Sequence, residues 1–409
     1  MASLQDARAA GQPPSAAQLR EAIQVSLLEQ GFTMDDGLIA APELNNKSAL
    51  RGLHAHAVEH RVEAARGGLK RHEPMLLKRF AWGGALRPEQ IRPRLVEVHA
   101  KTEDELLFRY ARLHWSIPIS AGYGRRLRFL VVDEAHDDAL IGLIGLGDPV
   151  FALGPRDAWV GWDRAARRGS LAHVMDAFVL GAVPPYSFLL GGKLVAMLAA
   201  ADEVRAAFTR KYGGGRGVIS GEVFSGELAM VTTTSALGRS SIYNRLTYQP
   251  EPEEPASRRL LYRSVGFTLG SGEFHFSNGL YRAMTDYALA NCRPTAKAAK
   301  WGTGFRSRRE VVKKTLQHLG LPDGLIYHGV RREVFVVPLA TNTAGFLRGE
   351  HDSLTAYGQS AQALGEYFKQ RWLSRRLQVE RRHLSWDPNA WRLWTDQRIP
   401  EPLSGGSRR

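Results

Sequence analysis

The sequence predicts a mixed α/β (α+β) protein in which helices flank one mixed sheet, and three observations predict it. Between residues 91 and 277, short apolar, β-rich runs alternate with segments of helical periodicity. At the centre of that span, the buried-strand pattern His173–Val183 is closed by Pro184-Pro185. Gly191 and Gly192 follow within Ser187–Phe208, where Leu190, Leu194, Val195, Leu198, Val204 and Phe208 fall on one helical face.

The elements follow in order. Residues 1–90 read as a helical leader, with helices over Ser15–Gln30, Lys47–Arg66 and Glu73–Phe80 and breaks at Gly67-Gly68 and Gly83-Gly84. Residues 91–277 read as the α/β core. Arg94–His99 is a strand, and Thr102–His114 is a helix with Thr102 as N-cap and Glu105 completing a capping box. Leu127–Asp133 and Ala139–Gly147 are strands around the turn-like EAHDD, Trp159–Trp162 is a third short strand, and Arg164–Leu171 is a helix. After the central strand and its glycine-led helix come strands at Gly217–Gly221 and Leu228–Thr234 and a short helix at Ser240–Leu246. A loop rich in Pro and Glu precedes strands at Leu260–Thr268 and Gly272–Phe276. Residues 278–409 read as a basic extension: a helix at Gly279–Leu289, a basic helix, a hairpin at LIYHGVRREVFVVPL, and a long helix from Ser353 to Arg382.

Composition narrows the function classes. At 44% hydrophobic, the 409-residue chain is globular, and charge or glycine interrupts every apolar run short of a membrane span. A lone cysteine, Cys292, excludes an internal disulfide framework and a Cys-rich zinc site. The N-terminal MASLQDARAAGQPPS lacks a secretory apolar core, so the expected location is the cytoplasm. A net charge of +14 with a pI near 10 favours a polyanionic partner, nucleic acid before membrane.

The candidate residues form several groups. A strand, a sharp turn and a glycine-led helix expose backbone N–H groups to an anion, which makes Gly191, Gly192 and Lys193 cofactor candidates; a turn device is the alternative. Tyr243, in GRSSIYNRL beside Arg239, suits a general acid or a nucleophile toward a phosphodiester, with arginines stabilising the developing charge. Arg156 and Asp157, in RDAWVGWD, and His114, beside Trp115, are further catalytic candidates, each with a packing role as the alternative. Arg125, the loop-borne arginine of GYGRRLRF, and Arg239 are candidate nucleic-acid contacts. Arg306, Arg308, Arg309, Lys313 and Lys314 line the basic helix, and Arg371, Trp372, Arg375 and Arg376 interleave arginine with an aromatic ring as phosphate contact plus base stacking requires. Asp148, Asp157, Asp163 and Asp176 sit on separate elements without nuclease spacing, so no metal site is assigned, although Mg²⁺ remains open as a cofactor. The Gly-rich GYGRRLRF and KYGGGRG match neither a P-loop nor a dinucleotide fingerprint.

Two resemblances extend this reading. The element order, and LLYRSVGFTLGSG as a closing strand, resemble the GCN5-related acetyltransferase fold, which implies coenzyme A pyrophosphate at the glycine-led helix; here the glycine motif is shortened to LLGGKL. RFLVVDE, GDPVFALGPRDAWVGWD, MDAFVLGAVPPYSFLLGGKLVA, TTTSALGRSSIYNRL and WGTGFRSRREVV together resemble the DruA-like family over Ile91 to Glu350. That resemblance implies a phage-defence or mobile-element setting with DNA and other defence proteins as partners. The expected function is DNA binding with DNA processing, as in a nuclease or transposase. Acyl or alkyl transfer to nucleic acid or protein, and a non-catalytic DNA-binding scaffold, are the alternatives.

Overall fold

The computed structural model describes residues 13–35, 38–40, 42, 46–117, 119, 124–215, 225–251, 253–270, 276, 278–294, 305–327 and 329–394. Helix α1 (Ala16–Glu29) starts at a Ser15 capping box closed by Gln18 and buries Leu19, Ile23 and Leu27 at helical spacing. A small hairpin, β1 (Thr33–Asp35) with β2 (Leu38–Ala40), follows where the sequence suggests no strands. Helix α2 (Lys47–Leu69) runs through Gly67 and Gly68 instead of stopping there, and α3 (Glu73–Leu77) is a short turn of helix.

The core strands fall close to their expected places. β3 (Pro93–Glu97) is followed by α4 (Glu103–Ala111), capped by Thr102, whose Oγ1 accepts from the Glu105 N–H at 3.2 Å. The Glu105 carboxylate reaches back to the Lys101 N–H at 2.8 Å, one residue before the cap. β4 (Arg126–Asp133) and β5 (Ala139–Gly147) come next, and all of β5 is buried because helices cover both faces of the sheet. Trp159–Trp162 is not a strand: Pro155 lies in the first turn of α5 (Gly154–Val160), which ends on left-handed Gly161. α6 (Arg164–Ser170) leads to the central strand β6 (Val174–Ala182).

The expected helix over Ser187–Phe208 is two helices, α7 (Gly191–Leu198) and α8 (Asp202–Tyr212). β7 (Met230–Thr234) follows, then β8 (Thr247–Tyr248), β9 (Arg259–Leu260), β10 (Arg263–Phe267), α9 (Asn278–Asn291) and the basic α10 (Phe305–His318). The expected strand Gly217–Gly221 and most of Gly272–Phe276 lie outside the described residues. The expected hairpin over residues 325–339 contributes one strand, β11 (Glu333–Pro338), which pairs with β7 on one side and β10 on the other. After α11 (Thr343–Arg348), the long helix starts late, at the Ser360 cap of α12 (Ala361–Phe368). It passes through a π-helical turn at Lys369–Leu373 into α13 (Ser374–Leu377).

The seven-stranded sheet has the order β10-β11-β7-β6-β5-β4-β3 and is antiparallel except for β6 with β7. On one face Leu127, Phe129 and Val131 meet Leu194 and Leu198 of α7, Phe208 of α8 and Phe368 of α12. On the other, Leu130, Val132 and Leu143 meet Leu107 and Phe108 of α4, with Leu76 and Trp394. Gly142 permits the first packing, since a Cβ there would lie 2.6 Å from Val195. A separate core joins α1 to α9 and α10 through Leu19, Ile23, Met284 and Leu316. Among the described residues, no helix is long and apolar enough to cross a membrane.

Candidate functional site

The site begins where two parallel strands part. β6 and β7 pair only through Val174–Met230, Met175–Val231 and Asp176–Thr232. Beyond that point Phe178 bulges from the ladder with β5, where register passes from Gly145–Val179 to Leu146–Ala177. Polar side chains collect at the divergence. Thr232 Oγ1 donates to Asp176 Oδ1 at 2.7 Å, and Thr233 Oγ1 donates to the Ala177 carbonyl at 3.0 Å. The Tyr243 ring stacks on Tyr262 at 4.8 Å and meets Phe335 edge-on at 5.2 Å, while its hydroxyl bonds Thr233.

These surroundings set the proton affinities. Burial pushes the Asp176 carboxyl up to about 6, against the Thr232 hydrogen bond and the charge of Arg156. Burial, opposed by the Thr233 hydrogen bond and reinforced by Asp176, pushes the Tyr243 phenol up to about 12. Near neutral pH the phenol therefore keeps its proton, while Asp176 lies on the other face of the sheet, with Thr232, Val174 and Met230, and acts on Tyr243 only through its charge. Arg156 is fully buried and donates to the carbonyls of Val150 and Phe151 at 2.9 and 3.0 Å and to Asp157 at 2.7 Å. Asp157 also accepts from Trp162 at 3.1 Å and Arg167 at 2.7 Å. This pair clamps α5 to α6, and Arg156 acts on Asp176 through its charge.

Over this interior lies the start of α7. A Cβ on Gly191 would come 2.7 Å from the Tyr186 carbonyl, so close backbone approach requires this glycine. Ile242 covers Gly192, its Cδ1 lying 3.3 Å from where a Cβ would be. Lys193 Nζ donates to the Ile242 carbonyl at 3.0 Å and sits 5.7 Å over the Trp372 ring. Ser240–Leu246 is a turn and not the expected helix, because Ser240 Oγ accepts from the Ile242 and Tyr243 N–H groups and Arg245 is left-handed. Arg376 Nε donates to the Phe188 carbonyl at 2.9 Å. The structure thus brings together Gly192, Lys193, the Tyr243 turn, Trp372 and Arg376, with Arg239, Arg245, Arg371 and Arg375 exposed.

The other candidates lie elsewhere. His114 stacks on Trp391 at 3.9 Å, burial holds it at about 3, and it packs as a neutral ring on the opposite face of the sheet. Arg125 turns inward, donating to Asp148 at 2.6 Å and to the Leu171 and Val174 carbonyls. On α10, Arg308 lies over Tyr281 at 4.3 Å, Arg309 over Tyr327 at 5.5 Å, and Lys313 pairs with Asp323 at 3.0 Å. Lys314 is half-buried on the same helix, and the Arg306 side chain lies outside the described residues. Trp386 and Trp391 face each other edge-on at 6.2 Å, and Trp394 is buried, so these rings pack inward and offer no stacking platform. Among the described residues, no group of three His, Cys, Asp or Glu forms a cation site. Asp176 is visible in the sequence as the one acidic residue inside HVMDAFVLGAV, a polar interruption in a buried strand.

The family described as Druantia protein DruA matches residues 44–349. That span holds the seven-stranded sheet, Asp176 and Tyr243, while Arg371, Trp372 and Arg375 lie beyond it. The Druantia protein DruA of Escherichia coli (strain UMEA 4076-1) is 40% identical over 362 residues, covering 87% of this chain and 86% of its own. No solved structure matches.

Proposed function

The chain belongs to the DruA family, and from that membership we propose that it is a component of a Druantia anti-phage system that engages DNA. The proposed contact surface is where Lys193, the 239–245 turn and Arg371–Arg375 meet. The observation that carries the reading is Lys193, whose contacts with the Ile242 carbonyl and the Trp372 ring join the turn that bears exposed Arg239 and Arg245 to the segment that bears exposed Arg371 and Arg375. Arginines on such a surface hold phosphates, and the +14 net charge draws a polyanion toward it.

DNA processing is the finer part of the proposal. Tyr243 attacks a backbone phosphorus and a phosphotyrosine ester forms as the bond to the departing strand breaks; the phenolic proton passes to the departing oxygen, which leaves as a free hydroxyl. Incubating the protein with labelled single-stranded, duplex and branched DNA, with and without Mg²⁺, tests it on denaturing gels after protease digestion. The expected result is a covalent adduct or a cut strand that Tyr243→Phe abolishes. Cutting that needs Mg²⁺ but not Tyr243 contradicts the tyrosine role.

A second reading is group transfer on a GCN5-related acetyltransferase-like core. It is favoured by the glycine-led α7 following the central strand. A higher melting temperature with acetyl-coenzyme A supports it, since a ligand bound only by the folded state stabilises that state. Ile242 seated on Gly192 weighs against it.

A further inference from the structure

We propose that Arg61 of α2, Arg109 and Arg112 at the end of α4, and Arg126 and Arg128 of β4 form a phosphate-binding site on the sheet face opposite Tyr243. Three elements converge there. Arg126 and Arg128 share the face of β4 that carries Leu130 and Val132, on which α4 packs. Arg109 and Arg112 are three residues apart, on the helix and the turn that ends it. α2 comes close at Gly68, where a Cβ would lie in ordinary contact, 3.6 Å, with Arg109 Nη2. Arg61 Nη2 donates to the Ile119 carbonyl, which fixes it at the same corner.

The described carboxylates of the flanking elements are already engaged. Glu105 bonds Arg128 at 3.3 Å, Asp104 pairs with Arg79 at 3.4 Å, and Glu97 on neighbouring β3 is taken by Arg210 and Lys211. Among the described residues, no carboxylate or carbonyl accepts from the guanidinium groups of Arg109 or Arg112. Burial, together with Arg109, Arg128 and Arg126, depresses the Arg112 guanidinium, and burial with the charge of Arg112 depresses Arg61. Partly buried like charges such as Arg109 and Arg112, with which no described carboxylate or carbonyl pairs, are unfavourable, and an oxyanion is the partner whose geometry fits several arginine forks at once. The phosphate is either a free ion or a phosphodiester of DNA. The site does not rest on the surface around Lys193.

The test compares the full chain with Arg109→Gln/Arg112→Gln in thermal melts, in sodium phosphate and in sodium chloride of matched ionic strength, and in binding to a short DNA duplex. The expected result is a rise in melting temperature with phosphate beyond that with chloride, absent in the double variant. A response to both phosphate and DNA means a general phosphate site. A response to DNA alone, weakened roughly tenfold in the double variant, means a phosphodiester site. Arg371→Ala/Arg375→Ala keeps the phosphate response, which separates this site from the proposed DNA surface. If the double variant does not fold, Arg112→Lys keeps the charge and loses the fork, and its phosphate response falls several-fold. No excess response to phosphate or DNA in the native chain, or an unchanged response in these variants, overturns the proposal.

Discussion

Thr232 donates a 2.7 Å hydrogen bond to Asp176 at the last pair of residues that β6 and β7 share before they diverge. The carboxyl is held at about 6 against an ordinary 3.8, so the native state takes up its proton more readily than the unfolded chain. An acid raised on folding costs stability once it ionises: the cost is absent below the ordinary value, grows as pH rises toward 6, and is complete above it. Asp176→Asn keeps an acceptor for Thr232 and removes the charge. Unfolding by urea is expected to show the variant more stable at pH 7 by up to about 3 kcal/mol, with little difference at pH 4. An equal change at both pH values contradicts the assignment.

His114 has the opposite sign. Its ring, stacked on Trp391, is held at about 3 against 6.5, so only the unfolded chain takes a proton between those values. Stability therefore rises with pH through that window, and at pH 5 the native state has lost about 2 kcal/mol relative to neutral pH. His114→Phe retains a stacking ring and no longer titrates. Its loss of stability between pH 7 and pH 5 is expected to be smaller by about that amount, measured by the same unfolding curves.

The two adjacent glycines of α7 differ in what surrounds them. Gly191→Ala drives a methyl into the Tyr186 carbonyl and is expected to cost about 1–3 kcal/mol. Gly192→Ala meets only the flexible end of Ile242 and is expected to be near neutral. Melting temperatures of the two variants check this order, and the reverse order contradicts the packing account.

Tyr243 separates ring from hydroxyl. Tyr243→Phe keeps the stack on Tyr262 and the edge contact with Phe335, so it is expected to fold with a loss under about 1.5 kcal/mol. Tyr243→Ala empties the space between those rings and is expected to cost about 3–5 kcal/mol. Circular dichroism melts of both variants make loss of DNA processing in the Phe variant interpretable as chemistry.

Much of the sheet was legible because its strands are locally encoded: Ala139–Gly147 and the central strand stand out as apolar runs bounded by turn residues. Glu333–Pro338 looked like half of a hairpin because its true partners, β7 and β10, lie far back in the chain, and no local pattern announces them. Trp159 and Trp162 suggested a strand by composition, while Pro155 and the buried Arg156–Asp157 clamp make the segment a helix. For the site, basic residues were readable as charge. Whether each was available was not: Arg125 and Arg376 are held by backbone carbonyls that only the fold brings near. Asp176 is held by Thr232, 56 residues away.

Equilibrium binding of labelled duplex DNA across a salt series tests the central claim most directly. Arg371 and Arg375 are exposed, so replacing both with Ala leaves the fold intact. Tight, salt-sensitive binding by the native chain is the predicted result. Arg371→Ala/Arg375→Ala should bind at least tenfold more weakly, with a salt slope shallower by about 0.9 for each phosphate that is no longer neutralised. Native-like affinity and slope in that variant, or no binding by the native chain, would contradict it.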